Sequence, residues 1–284
     1  MHRLPAITAP VALLVVGLLA GCGSSSSDSS TATTAANCKA DQLQTHTQGE
    51  LTVATDDPAY PPYFEDNDPS NGKGFESAVA YAIADQLGFK SSQVHWVTEP
   101  FNSSYAPGPK DFDFDVNEIS ITPAREQHVD FSAPYYTANQ AVVASKGSSA
   151  ASATSLADLQ DATIGVQIGT TSLDAVNAQI QPSSEPKIFN NSNDVVTALK
   201  EGQVDAVVVD LPTALYLTAA QVPDATIVGQ FSAPGGDQWG ALLDKDSPLT
   251  SCVSQAIDAL RSSGQLGQIQ TRWMSQAAKA PVLN

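Results

Sequence analysis

The chain is predicted to fold as an α/β protein of two lobes separated by a cleft. Three observations carry the prediction. From Leu51 onward, short apolar runs alternate with amphipathic helical stretches, as strands and helices do in α/β proteins. The alternation is interrupted by the Ser/Ala-rich residues 147–154 and then begins again. Beyond the N-terminal segment there remain roughly 230 residues, enough for two hydrophobic cores.

Taken in order, residues 51–54 (LTVA) form a strand. Residues 75–87 form a helix with Phe75, Val79, Ile83 and Leu87 on one face and Gly88 as its C-terminal cap. Strands are expected at 94–97, 112–116 and 140–144 (QAVVA). The stretch NSSYAPGPKDF from Asn102 holds two prolines and a glycine, which argue for loop rather than helix. After the break, 163–167 (TIGVQ) is a strand, and Gly169-Thr170-Thr171 opens a helix over 172–179. Residues 195–200 are helical, 206–209 (AVVV) a strand and 212–220 a helix. The run 238–243 (QWGALL) reads as a last strand, followed by helices over 249–262 and 267–278.

The N-terminus reads as an address. Residues 11–20 (VALLVVGLLA), behind Arg3, are too few to span a bilayer comfortably. They lead into Leu19-Ala20-Gly21-Cys22, which resembles a bacterial lipobox. That resemblance implies a signal peptide over 1–21, lipidation at Cys22 and a protein anchored to the cell membrane on its extracytoplasmic face. A plain secretory signal with an incidental cysteine is the alternative. Residues 22–37 are Ser/Thr-rich and suit a flexible tether. With Cys22 lipidated, Cys38 and Cys252 have one possible pairing, and an oxidising compartment favours a disulfide over two buried thiols. If they bond, the C-terminal helices return to the first lobe. That lobe then comprises 38–143 and 238–284, the second 144–237, with crossover strands near 140–144 and 238–243.

The formal net charge of −17 argues against nucleic acid or anionic lipid as partners. The four histidines are scattered, without metal-ligand spacing, and no phosphate loop or nucleophile elbow occurs. No metal or cofactor is expected, and the protein is expected to be a monomer.

The chemistry concentrates between Asp113 and Tyr136. An apolar strand (Phe114, Val116) exits through Asn117, Glu118, Ser120 and Thr122 to a lone arginine, Arg125. A planar guanidinium grips a carboxylate with two parallel hydrogen bonds, and nearby hydroxyls and backbone N–H groups complete such a cradle. The plainer alternative is a surface ion pair.

Several separated motifs then resemble one family. They are Asp57-Pro-Ala-Tyr60-Pro-Pro, Gly74-Phe75, Ser120-Ile-Thr-Pro-Ala-Arg125, Val129-Asp-Phe-Ser-Ala-Pro-Tyr-Tyr136, Leu156-Ala-Asp-Leu159, Gly165-Val-Gln-Ile-Gly-Thr-Thr171 and Gly202-Gln-Val-Asp-Ala-Val-Val-Val-Asp210. From Leu51 to Trp273 the chain resembles the extracellular solute-binding proteins of family 3, the polar amino-acid receptors of ABC importers. The resemblance implies a periplasmic-binding-protein fold with two crossover strands (type II), a monomeric receptor and an importer permease as partner. It also implies roles. Arg125 clamps the ligand α-carboxylate with Ser120, Thr170 and Thr171, and Asp210 takes the α-ammonium. Tyr60 and Phe101 wall the side chain, while Asn117 and Glu118 face the ammonium or the side chain. Plainer roles stay open: Asp210 and the two threonines as helix caps, Tyr60 as a loop stiffener and Phe101 as core.

Glu118 stands where small or amide residues are commoner in that family. Its charge disfavours an acidic ligand side chain and points to a polar or basic amino acid, unless it assists Asp210 or faces solvent. Capture is expected to proceed by hinge closure without covalent chemistry. Rival readings are a secreted dehydratase on the same fold, with Glu118 as its acid, and a sensor acting through a separate partner.

Overall fold

The structure, a computed structural model, describes residues 38–233, 235–274 and 280–284. The expected signal peptide, the lipidated Cys22 and the tether lie outside those residues. Leu51–Thr55 (β1) is buried along its whole length, as befits a strand flanked on both sides and covered on both faces. It runs parallel to Val94–Thr98 (β2) and Phe114–Asp115 (β3). Between them lies Phe75–Leu87 (α1), whose Phe75, Val79, Ile83 and Leu87 are fully buried. Each contributes about 1.5–3 kcal/mol by leaving water. Gly74 precedes the helix at φ +98°, and a Cβ there would lie 2.2 Å from the Tyr63 carbonyl oxygen. Only glycine fits so close an approach. A short helix, Phe101–Ser104 (α2), follows β2, and Val129–Phe131 (β4) follows β3.

The chain then crosses on Tyr136–Ala138 (β5) into a second sheet. This sheet comprises Gln140–Ser145 (β6), Ile164–Gln167 (β7), Lys187–Phe189 (β8), Ala206–Asp210 (β9) and Ala225–Phe231 (β10), in the order β10-β6-β9-β7-β8. Thr171–Ala175 (α3), Ser192–Lys200 (α4) and Leu211–Tyr216 (α5) connect its strands. The return runs along Asp237–Trp239 (β11), antiparallel to β5 with Trp239 opposite Tyr136. Leu242–Asp244 (β12) then inserts between β3 and β4, giving the first sheet the order β2-β1-β3-β12-β4. Thr250–Ser262 (α6) and Gln265–Met274 (α7) pack back on α1. The Cys38–Cys252 disulfide ties the start of the described chain to α6.

Several expectations need correction. The first crossing lies at β5, and residues 140–144 belong to the second sheet, so the boundary at 143/144 falls too late. The run 238–243 divides into β11 and β12. Gly240 sits between them, where a Cβ would lie 2.9 Å from Ile121 Cδ1. Residues 280–284 do not stay with the first lobe. Gln230 donates its backbone N–H to Pro281 O at 2.6 Å, Leu283 donates to Gln230 O at 2.8 Å, and the Leu283 side chain enters the second core. A helix does form at Phe101–Ser104, because its turn is complete before Pro107 and is braced by Ser104 Oγ donating to Phe101 O. The strand expected over 112–116 is confined to β3, and the helices over 172–179 and 212–220 widen into π turns at Val176–Ile180 and Leu217–Gln221. The sequence pattern gives no strand for β4, β5, β8 or β10.

Because the disulfide closes a loop over most of the folded chain, Cys38→Ser/Cys252→Ser is expected to lose about 2–5 kcal/mol of stability. Urea denaturation measures this, and an unchanged midpoint contradicts it.

Candidate ligand-binding site

Strand ends of both sheets open into one cavity of about 430 Å³, a volume suited to a small molecule. All nine residues singled out from the sequence (Tyr60, Phe101, Asn117, Glu118, Ser120, Arg125, Thr170, Thr171 and Asp210) line it. Arg125 begins a short 3-10 turn, with its backbone N–H donated to Thr122 Oγ1. Its side chain is almost wholly buried. Nη1 donates to Ser120 O at 2.6 Å and Nη2 to Gly169 O, on the second lobe, at 2.9 Å. The guanidinium lies 4.6 Å from the Tyr105 ring centroid and 5.3 Å from that of Phe101. Burial lowers its pKa, partly offset by Asp237, Asp174 and Asp210. Two of its five N–H groups are spent on carbonyls, leaving donors for a ligand.

Asp210 ends β9 at the N-cap position of α5, but its side chain makes no cap hydrogen bond. Its Oδ1 instead accepts from Gln140 Nε2 at 2.7 Å. The same amide donates to Asp237 Oδ2 at 2.6 Å, and Gln140 Oε1 accepts from Ser172 Oγ at 2.6 Å. Burial first, then the Asp237 charge, push Asp210 well above the ordinary carboxylate range. Thr170 caps α3 through Leu173 N–H at 3.2 Å and donates to Gln167 O at 2.8 Å, so its hydroxyl is occupied locally. Thr171 Oγ1 lies 3.4 Å from Ser120 Oγ across the cleft. Tyr60 donates its hydroxyl to Asn193 on α4, and burial raises its pKa to about 12. The amide nitrogen of Asn117 is buried with no protein partner, a donor free for a guest.

Glu118 adopts φ +48°. Its backbone N–H donates to Glu76 Oε1 at 2.8 Å, and Tyr135 donates its hydroxyl to the same oxygen. Glu76, Tyr63, Tyr105, Asn102, Gln140 and Asp237 are functional surroundings that reading the sequence missed. Tyr63 Oη and Thr213 Oγ1, 2.8 Å apart, and Asn102 Nδ2 donating to Asn190 O at 3.1 Å add further cross-lobe contacts. For Glu76 a signal did exist. It lies on the stripe Glu76-Ala80-Ile83-Leu87 of α1, where a lone charge among apolar positions marks a buried acid.

Two α/β lobes meeting over a polar cavity at their strand ends define a two-lobed small-molecule-binding protein. A sequence profile of the bacterial extracellular solute-binding proteins, family 3, matches residues 51–276. The chain belongs to that family. It is 29% identical over 222 residues to the arginine-binding extracellular protein ArtP of Bacillus subtilis (strain 168), covering 75% of this chain and 82% of that protein. Among solved structures it is similar to an ancestral arginine-binding protein bound to glutamine, with a TM-score of 0.68 and 32% identity over 80% of this chain and 99% of the other. A structure of an ancestral arginine-binding protein bound to arginine gives 0.66 and 33%, over 79% and 97%.

Asp115, Glu118 and Asp210 all sit well above the ordinary carboxylate range, burial being the first cause. The folded state therefore holds protons that the unfolded state releases. Their stabilisation is complete below the ordinary carboxylate pKa and is lost as pH rises through the raised values. The melting temperature of ligand-free protein is expected to fall as pH rises above the ordinary carboxylate range, and scanning calorimetry showing it flat or rising contradicts this.

Proposed function

We infer that the protein is the extracytoplasmic amino-acid receptor of an ABC importer and that it prefers basic side chains. The charge of the cavity carries the reading. Among the described residues lining it, Asp56, Asp57, Glu118 and Asp210 face a single base, Arg125. A zwitterion uses Arg125 for its carboxylate and Asp210 for its ammonium. The acids that remain are unmatched in a water-poor cleft, where a cationic side chain is attracted and an acidic one repelled.

In this reading Arg125 clamps the α-carboxylate together with Ser120 and Thr171. Asp210, held by Gln140, receives the α-ammonium. Tyr60 and Phe101 wall the side chain, with Asn117 and Glu118 at its polar end. Thr170 serves by capping α3 and shaping the loop before it. The ligand favours the closed arrangement by contacts that exist only when both lobes reach it. A permease then reads that closed shape. Lipidation at Cys22 keeps the receptor beside its importer, and no covalent step is required. The kinship with arginine-binding proteins supports the ligand class.

Thermal shift against the twenty amino acids tests this. Arginine and lysine are expected to raise the melting temperature most, a ligand at a hundredfold its Kd adding about 2.7 kcal/mol. No shift with any amino acid overturns the receptor reading, and a preference for aspartate or glutamate overturns the charge argument. Arg125→Ala is expected to abolish binding while leaving the fold intact by circular dichroism. Tyr105→Ala removes a cation–π contact of about 0.5–2 kcal/mol and should weaken binding by roughly 2- to 30-fold. Tyr105→Phe keeps the ring and should bind normally in calorimetry.

A further inference from the structure

Glu76 is fully buried on α1 and does not line the cavity. Its Oε1 accepts the Glu118 backbone N–H and the Tyr135 hydroxyl. Its Oε2 has no protein donor while both acids are ionised. The Glu118 carboxyl, at the cavity wall, lies within hydrogen-bonding reach of the Glu76 carboxyl. Two carboxyl groups can share a hydrogen bond only when one of them carries a proton. The contact is also built rather than incidental. Glu118 occupies the left-handed backbone region at φ +48°, a conformation costing about 1–3 kcal/mol for a residue other than glycine. The bond from its N–H to Glu76 opposes that strain and aims its side chain.

The surroundings favour the shared proton. The strongest charges acting on Glu118 are negative, Glu76 first and then Asp210 and Asp56. Asp115 adds to the crowd around Glu76, and the Tyr63 and Tyr135 hydroxyls face the pair. Burial, reinforced for Glu118 by these charges, raises both carboxyls above their ordinary range. Like charges this close do not both ionise readily.

We propose that Glu76 and Glu118 form a one-proton pair that sets the preference of the cleft between cationic and neutral side chains. This rests on the amino-acid reading of the cleft. A cationic side chain arriving beside Glu118 replaces the proton as the source of positive charge, and the proton leaves to solvent. A neutral side chain leaves the proton in place. Glu118 is the specificity-determining residue, and Glu76 is a positioning residue that acts through it. The sign follows from linkage. While the pair holds its proton, affinity for a cationic ligand rises with pH by up to about tenfold per unit more than affinity for a neutral ligand, the α-ammonium contact at Asp210 being common to both.

Calorimetry of the whole protein with L-arginine, L-lysine and L-glutamine decides the matter. It is run from pH 6 to 8.5 in buffers of different ionisation enthalpy. Arginine or lysine is expected to release up to one proton more than glutamine, since any proton displaced from Asp210 by the α-ammonium is common to all three, and the cation-to-glutamine affinity ratio should climb with pH. Glu118→Gln should abolish the excess release over glutamine and flatten the ratio. Glu76→Gln still accepts from Glu118 N–H and Tyr135, and its amide can donate to an ionised Glu118. It should therefore lose the excess proton release yet keep the cation preference, the ratio to glutamine now being independent of pH. A purely structural Glu76 would weaken all ligands alike and leave the proton count unchanged, which overturns the proposal. Cation binding that releases no more protons than glutamine binding in the wild-type protein overturns it too. If Glu76→Gln does not fold, the wild-type count and Glu118→Gln decide alone. Should none of the three ligands bind at any pH, the receptor reading falls and this inference with it.

Discussion

A single buried guanidinium holds the two halves of the cleft in register. Arg125 belongs to the first lobe by sequence and reaches Gly169 O on the second. Its flat face rests on Tyr105, so the charge is desolvated on one side and hydrogen-bonded around its edge. The partner side depends on this approach. Gly169 sits at φ +73°, and a Cβ there would lie 2.2 Å from the Tyr105 hydroxyl. A larger residue would displace the Tyr105 ring from beneath the guanidinium where the clamp operates. An arginine suits this place better than a lysine, because the rigid fork serves both backbone carbonyls and still has donors to offer.

Around that one cation the structure gathers more acid than it can match, and it accommodates the excess in two ways. On the second lobe, Asp210 and Asp237 are bridged by the amide of Gln140, whose two hydrogens serve one carboxyl each. The orientation of that amide is fixed from its other end by Ser172. On the first lobe, Glu76 and Glu118 have no amide between them and need a proton instead. The amide bridge joins its two acids without a shared proton, whereas the contact between Glu76 and Glu118 lasts only while one of them holds a proton. The fixed pair sits where a ligand α-ammonium is proposed to bind, and the exchangeable pair sits toward the side chain.

The lobes are joined more tightly than a pair of crossing strands implies. The β5–β11 ladder places Trp239 against Tyr136, with ring centroids 4.7 Å apart, and against Tyr63 at 5.6 Å. Tyr63 in turn meets Thr213 on the far lobe. The chain also crosses once more after α7, since residues 280–284 run along β10 and bury Leu283 in the second core. The few residues between Met274 and Ala280 can span at most roughly 20 Å, which bounds how far those two anchor points can separate.

What the sequence determined by itself was local and periodic. The helix at Phe75–Leu87 was legible to the residue because its apolar spacing and flanking glycines agree. The strands AVVV and QAVVA were legible because buried parallel and central strands are short runs of β-branched and small residues. Of the nine cavity residues, Asn117, Glu118, Ser120 and Arg125 stand out at the exit of one strand, and the other five could be named only through the resemblance of separated motifs to the solute-binding family. What only the tertiary structure decided was which distant groups meet. No spacing rule brings Glu76 beneath Glu118, Tyr105 under Arg125, or Leu283 into the second core. It likewise took the folded sheets to show that residues 140–145 pair with β9 and β10, leaving the crossing to three residues before them. Such contacts join segments tens to hundreds of residues apart. Their partners are selected by the packing of two sheets, a three-dimensional constraint that leaves no periodic trace in the chain.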